Sequence, residues 1–188
     1  AMPPIILASA SPRRQQLLQW AEVPFTVQVS GTDESFPEGL EPAAVAEHIA
    51  LQKAAAVYDQ STKNAVVVAA DTIVVLGGEI IGKPADRADA MHILSKLNGQ
   101  THEVITGVVI KSAHKQSIFH DRTQVSFHTL TPQQITFYVD KYRPYDKAGA
   151  YAIQEWIGVV GIKSVTGDFY NVMGLPVSRV VQALAHFQ

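Results

Sequence analysis

The chain has 188 residues, 47% of them apolar and 17% charged, with a formal net charge of −2 and no cysteine. One domain with a substantial core is feasible at this length. Disordered, collagen-like and coiled-coil chains are excluded by composition, and disulfide frameworks, thiolate metal sites and cysteine nucleophiles by the missing thiol. Such a charge gives no general attraction to nucleic acid or an anionic membrane, so neither is expected as a partner. No apolar run approaches the ~20 residues of a membrane span. No basic segment followed by an apolar one opens the chain, so no secretory signal is expected and the cytoplasm is the expected location. Ala1 ahead of Met2 reads as an expression remnant.

In chain order, Pro4–Ala8 reads as a strand, Pro12 to about Ala21 as a helix, and Phe25–Ser30 as a second strand. Gly31–Glu41 is acidic and rich in Gly and Pro, a loop. Pro42 opens a helix to about Tyr58. Ala65–Leu76 is a long apolar strand that Gly77-Gly78 turns into Glu79–Gly82 as a hairpin. A helix from about Asp86 to Leu97 follows, then two alternating β segments, Thr101–Lys111 and Gln116–Leu130. Thr131-Pro132-Gln133-Gln134 caps a helix ending near Lys141. Residues 142–175 read as alternating short strands and loops. A last helix spans Pro176–His186, with Val177, Val180, Val181 and Leu184 on one face. The alternation predicts a single α/β or mixed α+β domain over residues 1–188, in two lobes.

Several charges stand where a fold alone would not put them. Ser9-Ala10-Ser11-Pro12-Arg13-Arg14 joins a strand to a helix, with Ser11 as N-cap and Pro12 as first helical residue. Arg13 and Arg14 then crowd the positive end of the helix dipole, unfavourable by a few tenths of a kcal/mol unless an anion lies there. A strand feeding a helix N-terminus is also where phosphates bind. Thr131-Pro132 has the same cap chemistry without arginine and reads as structural. Asp71-Thr72 interrupts a buried apolar strand, where a carboxylate costs several kcal/mol unless paired or metal-bound. Lys53 falls on the apolar stripe of its helix, with Ala46, Ile49, Ala50 and Val57. Pro84 holds Lys83 extended, a posture for reaching. Asp86 reads as a helix N-cap. His102 reads as a core or edge histidine, and none of the seven histidines has metal spacing. Asp33 or Glu34, in the acidic loop, suits a hard cation such as Mg2+ or Mn2+ over zinc. Arg13, Arg14, Lys53 and Lys83 with Asp71 and one of the loop acids suit a polyphosphate bound with a divalent metal.

These segments, with Ala70-Asp71-Thr72, Gly82-Lys83-Pro84-Ala85-Asp86, Leu97-Asn98-Gly99-Gln100-Thr101-His102, Asp146–Gln154 and Gly167–Pro176, resemble the Maf family in their order along nearly the whole chain. The resemblance implies a nucleoside triphosphate pyrophosphatase that releases a nucleoside monophosphate and pyrophosphate. The implied fold is a twisted mixed sheet flanked by helices, in two lobes around a central cleft, similar to inosine triphosphatases. It implies that Ser9, Arg13, Arg14, Lys53 and Lys83 grip phosphates, that Asp71 activates the attacking water, and that Glu34 lies near the metal with Asp71. Thr72 and Gln154 match further active-site positions. The Ala-Tyr-x-Ile-Gln form ending at Gln154 is similar to the branch acting on dTTP and UTP, and a glutamine amide can pair with a neutral pyrimidine edge. Gln16 departs from a glutamate common in the family. A homodimer is also implied. Alternatives from the sequence are the same reaction on 7-methyl-GTP, or a nucleotide-binding regulator of septum formation without catalysis.

Overall fold

The computed structural model describes residues 2–188, and the remnant expected at Ala1 lies outside the described residues. Seven strands and seven α-helices alternate along them. They are β1 (Ile5–Leu7), α1 (Pro12–Trp20), β2 (Thr26–Val27), α2 (Pro42–Gln60), β3 (Val66–Leu76), β4 (Glu79–Ile81), α3 (Arg87–Leu97), β5 (Thr101–Lys111) and β6 (Gln116–Phe127), followed by α4 (Pro132–Tyr142), α5 (Trp156–Gly161), β7 (Ile162–Thr166), α6 (Phe169–Met173) and α7 (Val177–Leu184). The sheet order is β2-β1-β3-β5-β6-β7, with β4 paired to β3. It is mixed, as expected: β1 runs parallel to β2 and β3, whereas β4 and β7 pair antiparallel with β3 and β6. None of the described helices is long and apolar enough to cross a membrane.

The chain divides into two compact units. The first takes the chain through Thr72, with Thr106–Asp121 and Gly174–Gln188; the second is Ile73–Ile105 with Arg122–Met173. In the first, Ile6, Ala8, Ala50, Ala54, Val57, Ala65, Val67, Ala69 and Val109 form one buried cluster, joining α2 to β1, β3 and β5. The small residues allow a close approach. A Cβ built on Gly107 of β5 would lie 2.4 Å from the Ala46 carbonyl carbon and 2.5 Å from the Glu47 nitrogen of α2. Only glycine fits between strand and helix backbone at that point.

The second unit carries its caps where the sequence puts them. Asp89 N–H donates to Asp86 Oδ1 at 2.8 Å, and Thr131 and Gln134 form a complete capping box. Asp168 Oδ1 accepts the amides of Tyr170 and Asn171, while the buried Asn171 amide donates to Val104 O and Thr123 Oγ1. In the Gly167–Pro176 motif, Asp168 thus caps the turn that follows it, and Asn171 ties that turn to β5 and β6.

Several expected bounds shift. β2 is only two residues, both exposed, so little side-chain burial favours extending the Phe25–Ser30 strand. β6 stops at Phe127: beyond it the His128 amide donates to Gly161 O, and Asn98 clamps Leu130, its Oδ1 accepting from Leu130 N–H and its Nδ2 donating to Leu130 O. The stretch 142–175, expected as short strands and loops, contains two further helices of six and five residues, α5 and α6. The β-branched, glycine-punctuated run from Ile157 to Val165 hides α5. In the last helix Val180 and Leu184 are buried while Val181 is exposed, so the apolar face is narrower than expected.

His102 is a core residue, 1% exposed. Its ring stacks on Phe127 at 5.7 Å and meets Tyr151 edge-on at 5.4 Å. Nε2 lies 2.6 Å from the Tyr151 hydroxyl, and burial holds its pKa down to about 4. The unfolded chain protonates this ring near pH 6.5, the folded chain only near 4. Stability contributed by neutral His102 is therefore complete above pH 6.5 and lost as pH falls towards 4, about 3 kcal/mol by that point. Urea unfolding of wild type and His102→Gln checks this: the wild type should lose stability more steeply between pH 7 and 4, and parallel profiles would contradict it.

Candidate active site

Arg14 organises the first unit's polar cluster. It is buried beside the N-terminus of α1, where its backbone N–H donates to the Ser11 cap hydroxyl at 3.3 Å. Its guanidinium is held by neutral acceptors. Nε donates to Gly174 O at 2.7 Å, Nη2 to Thr72 Oγ1 at 2.8 Å and Nη1 to Ser9 Oγ at 3.4 Å. Ser9 Oγ also accepts the Ser11 amide at 3.1 Å, and Thr72 Oγ1 lies 2.9 Å from Thr106 Oγ1 and 3.3 Å from Gly174 O. Gly174 adopts φ +131°, a conformation that L side chains rarely adopt.

The charge on Arg14 is thus buried without a contacting carboxylate among the described residues. Burial presses its pKa down, Asp71 and Glu34 pull it up, and neighbouring Arg13 adds to the depression. Arginine stays protonated regardless, so a positive charge bonded to no carboxylate among the described residues lies at a helix N-terminus. Two guanidinium N–H groups remain beyond the three bonds described. Arg13, half-buried on the same turn, has no partner for its guanidinium among the described residues.

Beside it, Lys53 Nζ bridges two carboxylates, 3.2 Å from Asp71 Oδ1 and 3.2 Å from Glu34 Oε1. It also reaches Ala70 O at 3.4 Å. The Asp71 side chain is 15% exposed. Burial raises its pKa above the ordinary carboxylate range, against the opposing influence of Lys53 and Arg14. The acidic loop resolves into two different roles. Asp33 Oδ1 accepts both the amide and the hydroxyl of Ser35, an Asx turn that lowers the Asp33 pKa. Glu34 takes a left-handed φ of 52° and turns its carboxylate to Lys53. Gln52 holds the turn from α2, donating to Ser35 O at 2.9 Å.

No three His, Asp or Glu side chains cluster as a ready-made metal cage among the described residues. Asp71 and Glu34 are hard oxygen donors flanking one cation, and Mg2+ commonly binds through one or two carboxylates plus substrate phosphates and water. They fit such an ion.

Seven of the nine singled-out residues, Ser9, Arg13, Arg14, Glu34, Lys53, Asp71 and Thr72, thus belong to the first unit. Lys83 and Gln154 belong to the second and are exposed. There Gly149 N–H donates to Gly82 O at 3.2 Å, which lays the Lys83 turn beside the segment leading to Gln154. Sequence reasoning missed two contributors. Thr106 looks like any β-branched strand residue, and Gly174 acts through its carbonyl.

The family model for Maf-like proteins matches residues 4–187. The chain is 44% identical to a dTTP/UTP pyrophosphatase of Flavobacterium psychrophilum, over 94% of this chain and 90% of the relative. It is 44% identical to one of Parabacteroides distasonis, over 97% and 95%, and 46% identical to one of Symbiobacterium thermophilum, over 99% and 95%. Among solved structures, a HAM1 protein from Coxiella burnetii shares the fold at a TM-score of 0.52 and 17% identity, over 98% of this chain and all of that one.

Proposed function

Because the chain belongs to the Maf family, we propose that it hydrolyses nucleoside triphosphates, dTTP and UTP first among them, to the monophosphate and pyrophosphate. The observation that carries this reading is Arg14, a buried cation at a helix N-terminus held only by neutral acceptors. A phosphate supplies the missing negative charge. The names of the relatives support the pyrimidine substrates.

In this reading Arg13, Arg14, Lys53 and Lys83 bind phosphate oxygens and stabilise charge as it develops, with Ser9 and the α1 amides orienting one phosphate. Asp71, its basicity raised by burial, accepts a proton from water. The water oxygen bonds the α-phosphorus, the bond to the bridging oxygen breaks, and pyrophosphate leaves. Thr72 steadies Arg14 from below, and the exposed amide of Gln154 reads the base edge. Asp71 and Glu34 would hold a divalent cation, Mg2+ or Mn2+, which when bound would supply positive charge to the phosphate oxygens. Both compact units are assigned to one catalytic domain.

Pyrophosphate release across dTTP, UTP, CTP, GTP and 7-methyl-GTP, each with Mg2+, Mn2+ or EDTA, tests the reading. Metal-dependent turnover favouring dTTP or UTP is expected. Preference for 7-methyl-GTP would overturn the base assignment, and binding without turnover would overturn catalysis.

A further inference from the structure

The segment Tyr151–Glu155, which presents Gln154, has no regular secondary structure before α5 begins at Trp156. A segment of that kind holds a side chain in one place only if something ties it down. Two buried rings of the second unit do so. Tyr138 of α4 is fully buried. Its hydroxyl accepts the Ala152 amide at 3.1 Å and donates to Glu155 Oε1 at 2.5 Å, so one oxygen bonds on both sides of Gln154. On the other flank the Tyr151 hydroxyl lies 2.6 Å from His102 Nε2 on β5. The rings are themselves fixed: Tyr138 stacks on Tyr142 at 5.0 Å, and Tyr151 meets Phe127 edge-on at 5.2 Å. Glu155 closes the set by accepting from Tyr138 while the Gly158 amide donates to its carbonyl at 2.9 Å. Gln154, alone in Tyr151–Glu155, is exposed.

The geometry points to Tyr138 as a positioning residue for base selection, its hydroxyl fixing the backbone around Gln154 with Glu155 as its acceptor and the His102–Tyr151 contact as a second strut. This rests on the reading of Gln154 as the base contact. Tyr138 touches no reacting group. Its hydroxyl therefore governs how well one base is told from another, and the phosphate chemistry proceeds without it.

Tyr138→Phe removes the hydroxyl and keeps the ring. The expected result is a rise of about tenfold in KM for dTTP and UTP, with kcat within about twofold, and a collapse of the preference over CTP. Pyrophosphate, which has no base, should inhibit the variant and the wild type equally. Hydrogen exchange at the Ala152 amide should speed up. Glu155→Gln, which still offers an oxygen to the hydroxyl, should restore most of what Glu155→Ala loses. Unchanged KM and selectivity in Tyr138→Phe, or equal loss in both Glu155 variants, would overturn the assignment. Gln154→Ala separates the two claims. If it alters selectivity while Tyr138→Phe does not, the positioning role fails alone; if it leaves selectivity intact, the base reading fails.

Discussion

Asp71→Asn is expected to slow pyrophosphate release by about 10³-fold or more while leaving nucleotide affinity within about threefold. Loss of a positioned general base removes 10²–10⁴-fold by itself, and here the same carboxylate also faces Lys53 and is a candidate cation ligand. The substitution is close to isosteric, and its amide oxygen can still accept from Lys53. Lys53 also keeps Glu34 at 3.2 Å, so no ammonium is orphaned. Folding should not suffer, because burial already disfavours the charged form of Asp71. The raised pKa also sets the direction of the pH profile. Activity should rise with pH as Asp71 ionises, and do so at a higher pH than an ordinary carboxylate would give. Single-turnover rates and equilibrium binding measured together check this; an Asn variant with more than a tenth of the wild-type rate would remove the general-base role.

Arg14→Lys is expected to lower kcat/KM about 100-fold and stability by about 2 kcal/mol, although it preserves charge. A guanidinium serves Gly174 O, Thr72 Oγ1 and Ser9 Oγ from one planar fork. An ammonium is a point charge that cannot serve those directions and a phosphate together. Leaving a buried carbonyl such as Gly174 O without its charged donor costs about 1–3 kcal/mol. Arg13→Ala is the informative partner. With no guanidinium bond to lose among the described residues, it should weaken turnover and leave the denaturation midpoint in place. Equal destabilisation by the two changes, or an Arg14→Lys enzyme within threefold of wild type, would contradict the separate roles assigned to the pair.

The sequence carried much of this because its signals were local. Ser11-Pro12, Asp86 and Thr131 announce helix starts through capping chemistry that needs only the next three residues. Alternation and length defined β5 at Thr101–Lys111. Lys53 and Asp71 were visible as charges in apolar settings, and their 3.2 Å pair explains both at once. The choice between Asp33 and Glu34 was not legible, because it depends on an Asx turn to Ser35 and on a lysine nineteen positions beyond Glu34. Thr106 was invisible because threonine suits any strand. α5 was missed because a six-residue helix shows less than two turns of period.

The absent side chain at Gly107 has a mechanical consequence. It lets the backbone of α2 rest directly on β5 at Ala46, the close approach on which that end of the helix sits. Lys53 lies seven residues further on, two turns along the same face. A helix is stiff over that distance, so a displacement at the support would pass to Lys53 nearly undiminished. The ammonium touches Asp71, Glu34 and Ala70 O at 3.2–3.4 Å, so a shift of an ångström would stretch these contacts beyond hydrogen-bond length unless the side chains followed. The carboxylate proposed as the general base is thus set in place through a residue with no side chain, which acts on its neighbour by letting it come close.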